Sequence, residues 1–491
     1  MNAIKQLAGQ TAIYGLPTIL GRAFNYLLVP LYTRVFNPGE YGVVTELYAY
    51  VAFLYVLLLY GMETTFFRFS KTEEDGKTVF STALISVAIS SGIFLLLIIG
   101  ASLPIASSMG YADNHEYIIW FALILAFDAL CAIPFAHLRQ KGKAAKFAFI
   151  KSINIFSNIG LNLFFILLCP WLLKNYGDSA FLSTVYDPQI GVGYVFISNL
   201  IVSALTLIIL IPEIKGIRLR FEHGLWKQMF FYTWPLLILG FAGIVNETFD
   251  RIILKHLLPP ESNPMAQLGI YGACYKVSIL MTLFIQTYKY AAEPFFFEQM
   301  KNQEAKQLYA NVMNYFVAIC AFLFLVIMLF IDVTILLVGP EYRSGAPVIP
   351  ILLMANLFLG IFYNLSVWFK ITGKTLYGAL IAVFGMLVTL VLNFALIPKM
   401  GYMGAAWATF ICYGSMMVLS YLVGRKYYPI PYNMPRVSGY ILLAVLLFFI
   451  GNLIPTGYPL IKALVNALLL GFYLVMVCWV EKPLSTLRRK A

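Results

Sequence analysis

Arg22 stands in the middle of PTILGRAFNYLLVPLYTRVF (residues 17–36), and Asp128 in the middle of LAFDAL. Both interrupt apolar runs long enough to cross a bilayer, which takes roughly 20 helical residues. A charge at that depth costs about 2.5 to 3.5 kcal/mol on insertion scales, so it should face a bundle interior or a wet cavity. NETFDRIIL adds Glu247, Asp250 and Arg251, with Glu247 and Arg251 four apart on one helix face. Lys276 lies in the next run, and Lys289 and Glu293, again four apart, lie near its far end. Glu46 and Glu63 sit towards opposite ends of the second run, with Arg68 just past it. The sets spaced by four can neutralise themselves as buried salt bridges, whereas Arg22 and Lys276 have no acid at that spacing. Arg22 and Asp128 lie at the same expected depth, where an ion pair is geometrically feasible. Cations from different parts of the chain that meet in one hydrated cleft would hold an anion, and arginine's fork of donors grips phosphate oxygens. Arg22, Lys276, Arg251, Arg68 and Lys289 are therefore the candidate ligands of a diphosphate. Asp128, Glu247, Asp250 and Glu293 are the candidate sites of proton or sodium coupling, because a carboxylate's charge can be switched or shielded.

The elements that position these residues are helices in lipid. Of the 491 residues 61% are hydrophobic and 11% charged, against around 25% charged in soluble domains. About 14 apolar spans can be read, near 11–33, 41–62, 79–103, 116–137, 149–172, 191–212, 229–253, 267–290, 311–335, 345–368, 375–397, 403–424, 437–455 and 459–480. Long continuous runs predict an all-α polytopic membrane protein and exclude a barrel of short alternating strands. The net charge of +12 does not point to nucleic acid. Most Lys and Arg fall in alternate loops, such as Arg139 to Lys146 and Lys215 to Arg220, as expected when these face the cytoplasm. An even span number then puts both termini in the cytoplasm. The six cysteines form no CxxC and the four histidines are scattered, which predicts no metal site. No phosphate loop, HExxH or GxSxG occurs, so no enzyme is expected and any energy comes from a gradient or from the substrate's own flux. No cofactor beyond a coupling proton or sodium ion is expected.

The chain repeats itself. LRQKGKAAKFAFI (138–150) aligns with FKITGKTLYGALI (369–381), matching Gly142-Lys143 with Gly373-Lys374, and at the same offset Asn162 meets Asn393. EYGVVTELY (40–48) resembles IYGACYKVS (270–278), and YGLPTILG (14–21) resembles YTWPLLILG (232–240). This predicts two six-helix bundles, residues 1–222 and 223–430, related by a pseudo-two-fold axis along the membrane normal. Two further helices and a basic tail occupy 431–491. Pro17 and Pro235 take matching places in spans 1 and 7, where proline removes a hydrogen bond and bends a helix. Such helices either line a central cleft or carry ordinary packing kinks.

GRAFNYLLVPLYTRVFNPGEYG (21–42), LRQKGKAAKFA, ETFDRIIL with LGIYGACYKV, and ALIPKMGYMGAAWATF (395–410) resemble the polysaccharide-biosynthesis (Wzx-type) oligosaccharide flippases. That family belongs to the superfamily of multidrug/oligosaccharidyl-lipid/polysaccharide exporters, which also holds the MATE exporters and the lipid II flippase. The resemblance covers nearly the whole chain, spans 1 to 12 best. It implies a carrier of undecaprenyl-pyrophosphate-linked O-antigen, capsule or exopolysaccharide units, working by alternating access among bacterial membrane lipids, alongside polysaccharide polymerase machinery. Arg22 matches the position of a diphosphate-holding arginine in span 1, and spans 13 and 14 match by number and place helices that groove a lipid tail. A MATE-like cation-coupled multidrug antiporter, a lipid II flippase and a non-transporting assembly factor are the alternatives.

Overall fold

The computed structural model describes residues 26–72, 76–177, 180–215, 220–300, 304–453 and 459–481. Among them every regular element is a helix. Among the described residues thirteen helical stretches are long and apolar enough to cross a membrane. They fall one for one on the second to fourteenth runs read from the sequence; Pro17 and Arg22, in the first, lie outside the described residues. The chain divides into two compact units, residues 1–269 and 270–491. The first takes in the span at 223–257, which the repeat assigns to the second bundle.

The first unit holds α1 (Val29–Val35), α2 (Pro38–Leu59), α3 (Met62–Thr72), α4 (Gly76–Gly100), α5 (Ser102–Ser108), α6 (Glu116–Gln140) and α7 (Ala144–Leu163). It continues with α8 (Cys169–Tyr176), α9 (Ala180–Val185), α10 (Gly193–Lys215), α11 (His223–Leu257) and the first turns of α12 (Pro264–Gln299). Local sequence explains the breaks. Asn37 caps α2 by accepting from the Glu40 amide at 3.0 Å while Glu40 accepts from the Asn37 amide at 2.9 Å, with Pro38 in the first turn. That span bends where Tyr60 and Gly61 both adopt positive φ, 37° and 82°, which ends α2 and lets α3 begin. Between α7 and α8, residues Phe164–Leu168 widen into a π-helix just before Pro170, whose missing N–H removes one rung of the ladder. Pro235 lies inside α11, which runs unbroken for 35 residues. Gly42 of α2 and Gly269 of α12 meet so closely that a Cβ on Gly269 would stand 1.9 Å from the Pro38 carbonyl oxygen. Only glycine permits that approach.

The second unit continues α12 and adds α13 (Ala305–Leu329), α14 (Ile331–Thr334), α15 (Val348–Leu365), α16 (Val367–Ile371), α17 (Thr375–Met400), α18 (Tyr402–Tyr427), α19 (Met434–Asn452) and α20 (Pro459–Glu481). Many exposed side chains on these helices are large and apolar: Val391, Leu442, Leu468 and Trp479 are each more than 60% exposed. In water that would be an aggregating surface; in a bilayer it is the lipid face. α20 is the extreme case, with 11% of its apolar window buried. What fastens it is polar. Asn466 donates to the Leu329 carbonyl at 2.5 Å and Tyr473 to the Ala318 carbonyl at 3.0 Å, both on α13, and both side chains are buried. Lys462 adds an ion pair to Asp332 at 2.5 Å. Because lipid offers no alternative partner, such hydrogen bonds hold transmembrane helices together at about 0.6 to 1.7 kcal/mol each. Asn466→Leu combined with Tyr473→Phe should therefore lower the Tm in detergent, while Lys462→Gln alone changes it little.

Candidate functional site

Several charged side chains of each unit settle on partners that bridge helices. In the first unit Glu46 of α2 is wholly buried, 0% exposed. Its carboxylate receives Lys255 Nζ from α11 at 3.1 Å to both oxygens, and the Tyr111 hydroxyl also donates to it. Lys255 donates as well to the Met109 carbonyl. Burial, and after it the Glu46 carboxylate, holds the Tyr111 phenol well above its ordinary range, so its O–H stays protonated as the donor. Towards the other end of the same span, Glu63 of α3 pairs with Arg139 of α6, whose guanidinium also lies 5.0 Å from the centre of the Phe67 ring. Glu213 on α10 takes Lys143 at 3.1 Å and Lys146 at 2.5 Å.

The sequence candidates occupy this frame as follows. Asp128 of α6 neighbours Ser203 of α10 and Lys151 of α7; Lys151 Nζ lies 4.2 Å from the centre of the Phe135 ring. Arg68 belongs to α3 itself rather than to the loop beyond it, and its guanidinium lies 4.2 Å over the Tyr232 ring of α11. Asp250 is buried and accepts from the Arg251 amide at 2.9 Å. Glu247 is exposed and Arg251 half-buried on the same helix. In the second unit Lys276 is half-buried on α12.

Lys289 and Glu293 differ from the expected local pair. Glu293 instead accepts Lys370 of α16 at 2.8 Å, and Lys289 Nζ rests 4.6 Å over the Tyr363 ring. Four-residue spacing brought the two onto one face, but a partner across the helix interface won the carboxylate. Both lysines and Glu293 line one crevice, with Tyr288, Tyr363 and Ser366. Two lysines and a single glutamate line the crevice, a formal excess of one positive charge.

Sequence reasoning missed Arg139, Lys370, Lys255 and Lys151 as partners, although a signal existed for two of them. Arg139 and Lys370 occupy aligned positions of the repeated segment, and Glu63 and Glu293 keep the same register from Tyr41-Gly42 and Tyr271-Gly272. The two pairs, Glu63–Arg139 and Glu293–Lys370, are one interaction built twice. The turns beside them also match. Gly142 and Gly373 adopt φ of 69° and 71°, Lys141 and Thr372 donate to His137 and Trp368 at 2.9 and 3.1 Å, and Asn162 and Asn393 donate to the carbonyls of Asn158 and Thr389 at 2.8 and 2.9 Å.

A multi-pass helical membrane protein with this order of spans has the fold of the exporter superfamily that contains flippases and multidrug transporters. The chain has a TM-score of 0.70 to the lipid II flippase MurJ in an inward closed conformation, at 14% identity over 95% of this chain and 98% of that one. It has a TM-score of 0.59 to an inward-facing multidrug resistance MATE family transporter of the MOP superfamily, at 14% identity over 90% and 95%. A family model described as polysaccharide biosynthesis protein matches residues 7–300, and the chain belongs to that family. The capsular polysaccharide biosynthesis protein CapF of Staphylococcus aureus is 22% identical over 402 residues, 79% of this chain and 91% of the relative.

Removing one member of the buried Glu46–Lys255 pair strands the other charge, at about 3 to 5 kcal/mol. Glu46→Leu and Lys255→Met should each sharply reduce the yield and Tm of folded protein, and the double variant should recover most of the loss. Single and double variants that are equally unstable would show that the pair does not act as a unit.

Proposed function

We propose that the chain is a flippase carrying undecaprenyl-pyrophosphate-linked oligosaccharide, an O-antigen, capsule or exopolysaccharide unit, from the inner to the outer leaflet of the bacterial cytoplasmic membrane. Membership of the polysaccharide biosynthesis family and the shared fold of a lipid II flippase support the reading. The observation that carries it is the crevice of Lys289, Lys370 and Glu293, where an uncancelled positive charge lies at the end of a membrane span. A diphosphate is the membrane-borne group whose desolvation most needs such compensation.

In this mechanism two six-helix bundles rock about a central cleft, with both termini in the cytoplasm. The diphosphate enters sideways from the inner leaflet, its lipid tail remaining in the bilayer, and is held by Arg22, Lys276, Arg251, Arg68 and Lys289. Opening to the other side releases it. Glu293 already serves Lys370, so coupling to protons or sodium falls chiefly to Asp128, Glu247 and Asp250. Export of the lipid II precursor is the second reading, favoured by the likeness to MurJ.

The test is transport of a fluorescently labelled lipid-linked oligosaccharide in proteoliposomes, paired with surface polysaccharide in a strain that depends on the chain. Lys289→Gln and Arg22→Ala should each lower initial transport about ten- to hundredfold, as expected for one charge-assisted hydrogen bond of roughly 1.5 to 3 kcal/mol. Full activity in both Arg22→Ala and Arg22→Glu would end the diphosphate assignment. Transport of lipid II alone would favour the second reading, and ethidium efflux a multidrug antiporter.

A further inference from the structure

Within the second unit a small crevice with a few polar groups in its wall and an apolar cavity adjoin at the end of α18. The crevice is lined by Trp368, Ser420, Gly424, Arg425 and Tyr428. Ser420 is 0% exposed and Trp368 2%, yet neither the Ser420 Oγ nor the Trp368 Nε1 has a hydrogen-bond partner among the described residues. Buried polar atoms in native proteins are nearly always paired, and an indole N–H can only donate. Two such groups at one crevice therefore call for an acceptor oxygen.

The indole has little freedom to turn away. It stacks on Tyr427 at 5.9 Å and 12° and lies against Gly424, where a Cβ would come within 2.8 Å of its Cδ1. Beside it stands Arg425, exposed at the end of the span, its guanidinium 5.7 Å from the centre of the Tyr421 ring.

Leu365, Tyr421 and Tyr432 line both the crevice and a neighbouring cavity of about 210 Å³. That cavity is walled by Met313, Ile361, Met417, Val437 and Ile441 and is almost entirely apolar. From Arg425 to Met417 is two turns of α18, about 12 Å of depth at 1.5 Å per residue. An exposed cation thus stands at the end of the span, with two buried donors that lack a partner in the crevice wall and hydrocarbon-lined space beside them.

We propose that this is a binding site for an anionic phospholipid of the surrounding bilayer. One head-group oxygen accepts from Trp368 and Ser420, Arg425 faces the phosphate charge, and one acyl chain fills the cavity. A polyprenyl phosphate offers the same chemistry. The resident lipid is favoured because the wholly buried Ser420 makes a slow-exchanging site, whereas a transported substrate must leave on every cycle. The inference does not depend on the proposed transport activity.

The experiment uses the full chain, purified and stripped of lipid in detergent, with native mass spectrometry and Tm measured as phosphatidylglycerol, phosphatidylcholine or undecaprenyl phosphate is added. Phosphatidylglycerol should be retained and should raise the Tm to a plateau, with a smaller shift for phosphatidylcholine. Arg425→Gln, a change at an exposed side chain, should remove the difference between the two phospholipids, and Met417→Trp should abolish retention. Equal shifts with both phospholipids in the parent chain, retention of undecaprenyl phosphate alone, or shifts unchanged in both variants would overturn the proposal. So would a single ordered water bridging Trp368 and Ser420 in a structure of the lipid-supplemented protein.

Discussion

A charge placed among membrane helices has no water to fall back on, and most of this architecture follows from how each one is answered. The Glu46 carboxylate, fully enclosed, collects an ammonium and a phenol from two other segments. Glu63 and Glu293 each hold a cation from the helix that ends at a glycine turn. These contacts join helices whose apolar faces alone would not choose one register over another, because lipid solvates leucine as well as a neighbouring helix does. Polar pairing therefore supplies the specificity that hydrophobic burial supplies in a soluble core.

The same constraint gives meaning to charges left in excess. Where Lys289 and Lys370 line one crevice with a single carboxylate, the formal charges do not sum to zero. The polar rim at Trp368, Ser420 and Arg425 follows a related logic, with donors rather than net charge unanswered. The last helix shows the opposite solution. It carries almost no buried surface and is held by two side chains that donate to backbone carbonyls of α13.

The repeat was legible in short matched words, and its structural content is local. Gly142 and Gly373 take the same left-handed turn, and Asn162 and Asn393 make the same bond to the carbonyl four residues back. These features depend on residues close in the chain, so aligned sequence carries them. Partner choice did not follow from the same reasoning. Lys289 and Glu293 stand one helical turn apart, as their spacing requires, yet Lys370 takes the carboxylate from another helix. Lys255 lies just past the apolar run at 229–253, but α11 extends far enough to carry it to Glu46.

Composition and periodicity by themselves determined that this chain is helical, that its helices are apolar enough for lipid, where the thirteen described spans fall and that short segments recur along it. Those properties are sums over neighbouring residues, set by apolar run length and by turn glycines. Only the tertiary structure decided which acid meets which base, where an uncancelled charge remains, and which buried donors lack a partner. Those depend on contacts across helices at distances of a few ångströms, where electrostatic energy in a low dielectric changes steeply and spacing along the chain carries little information.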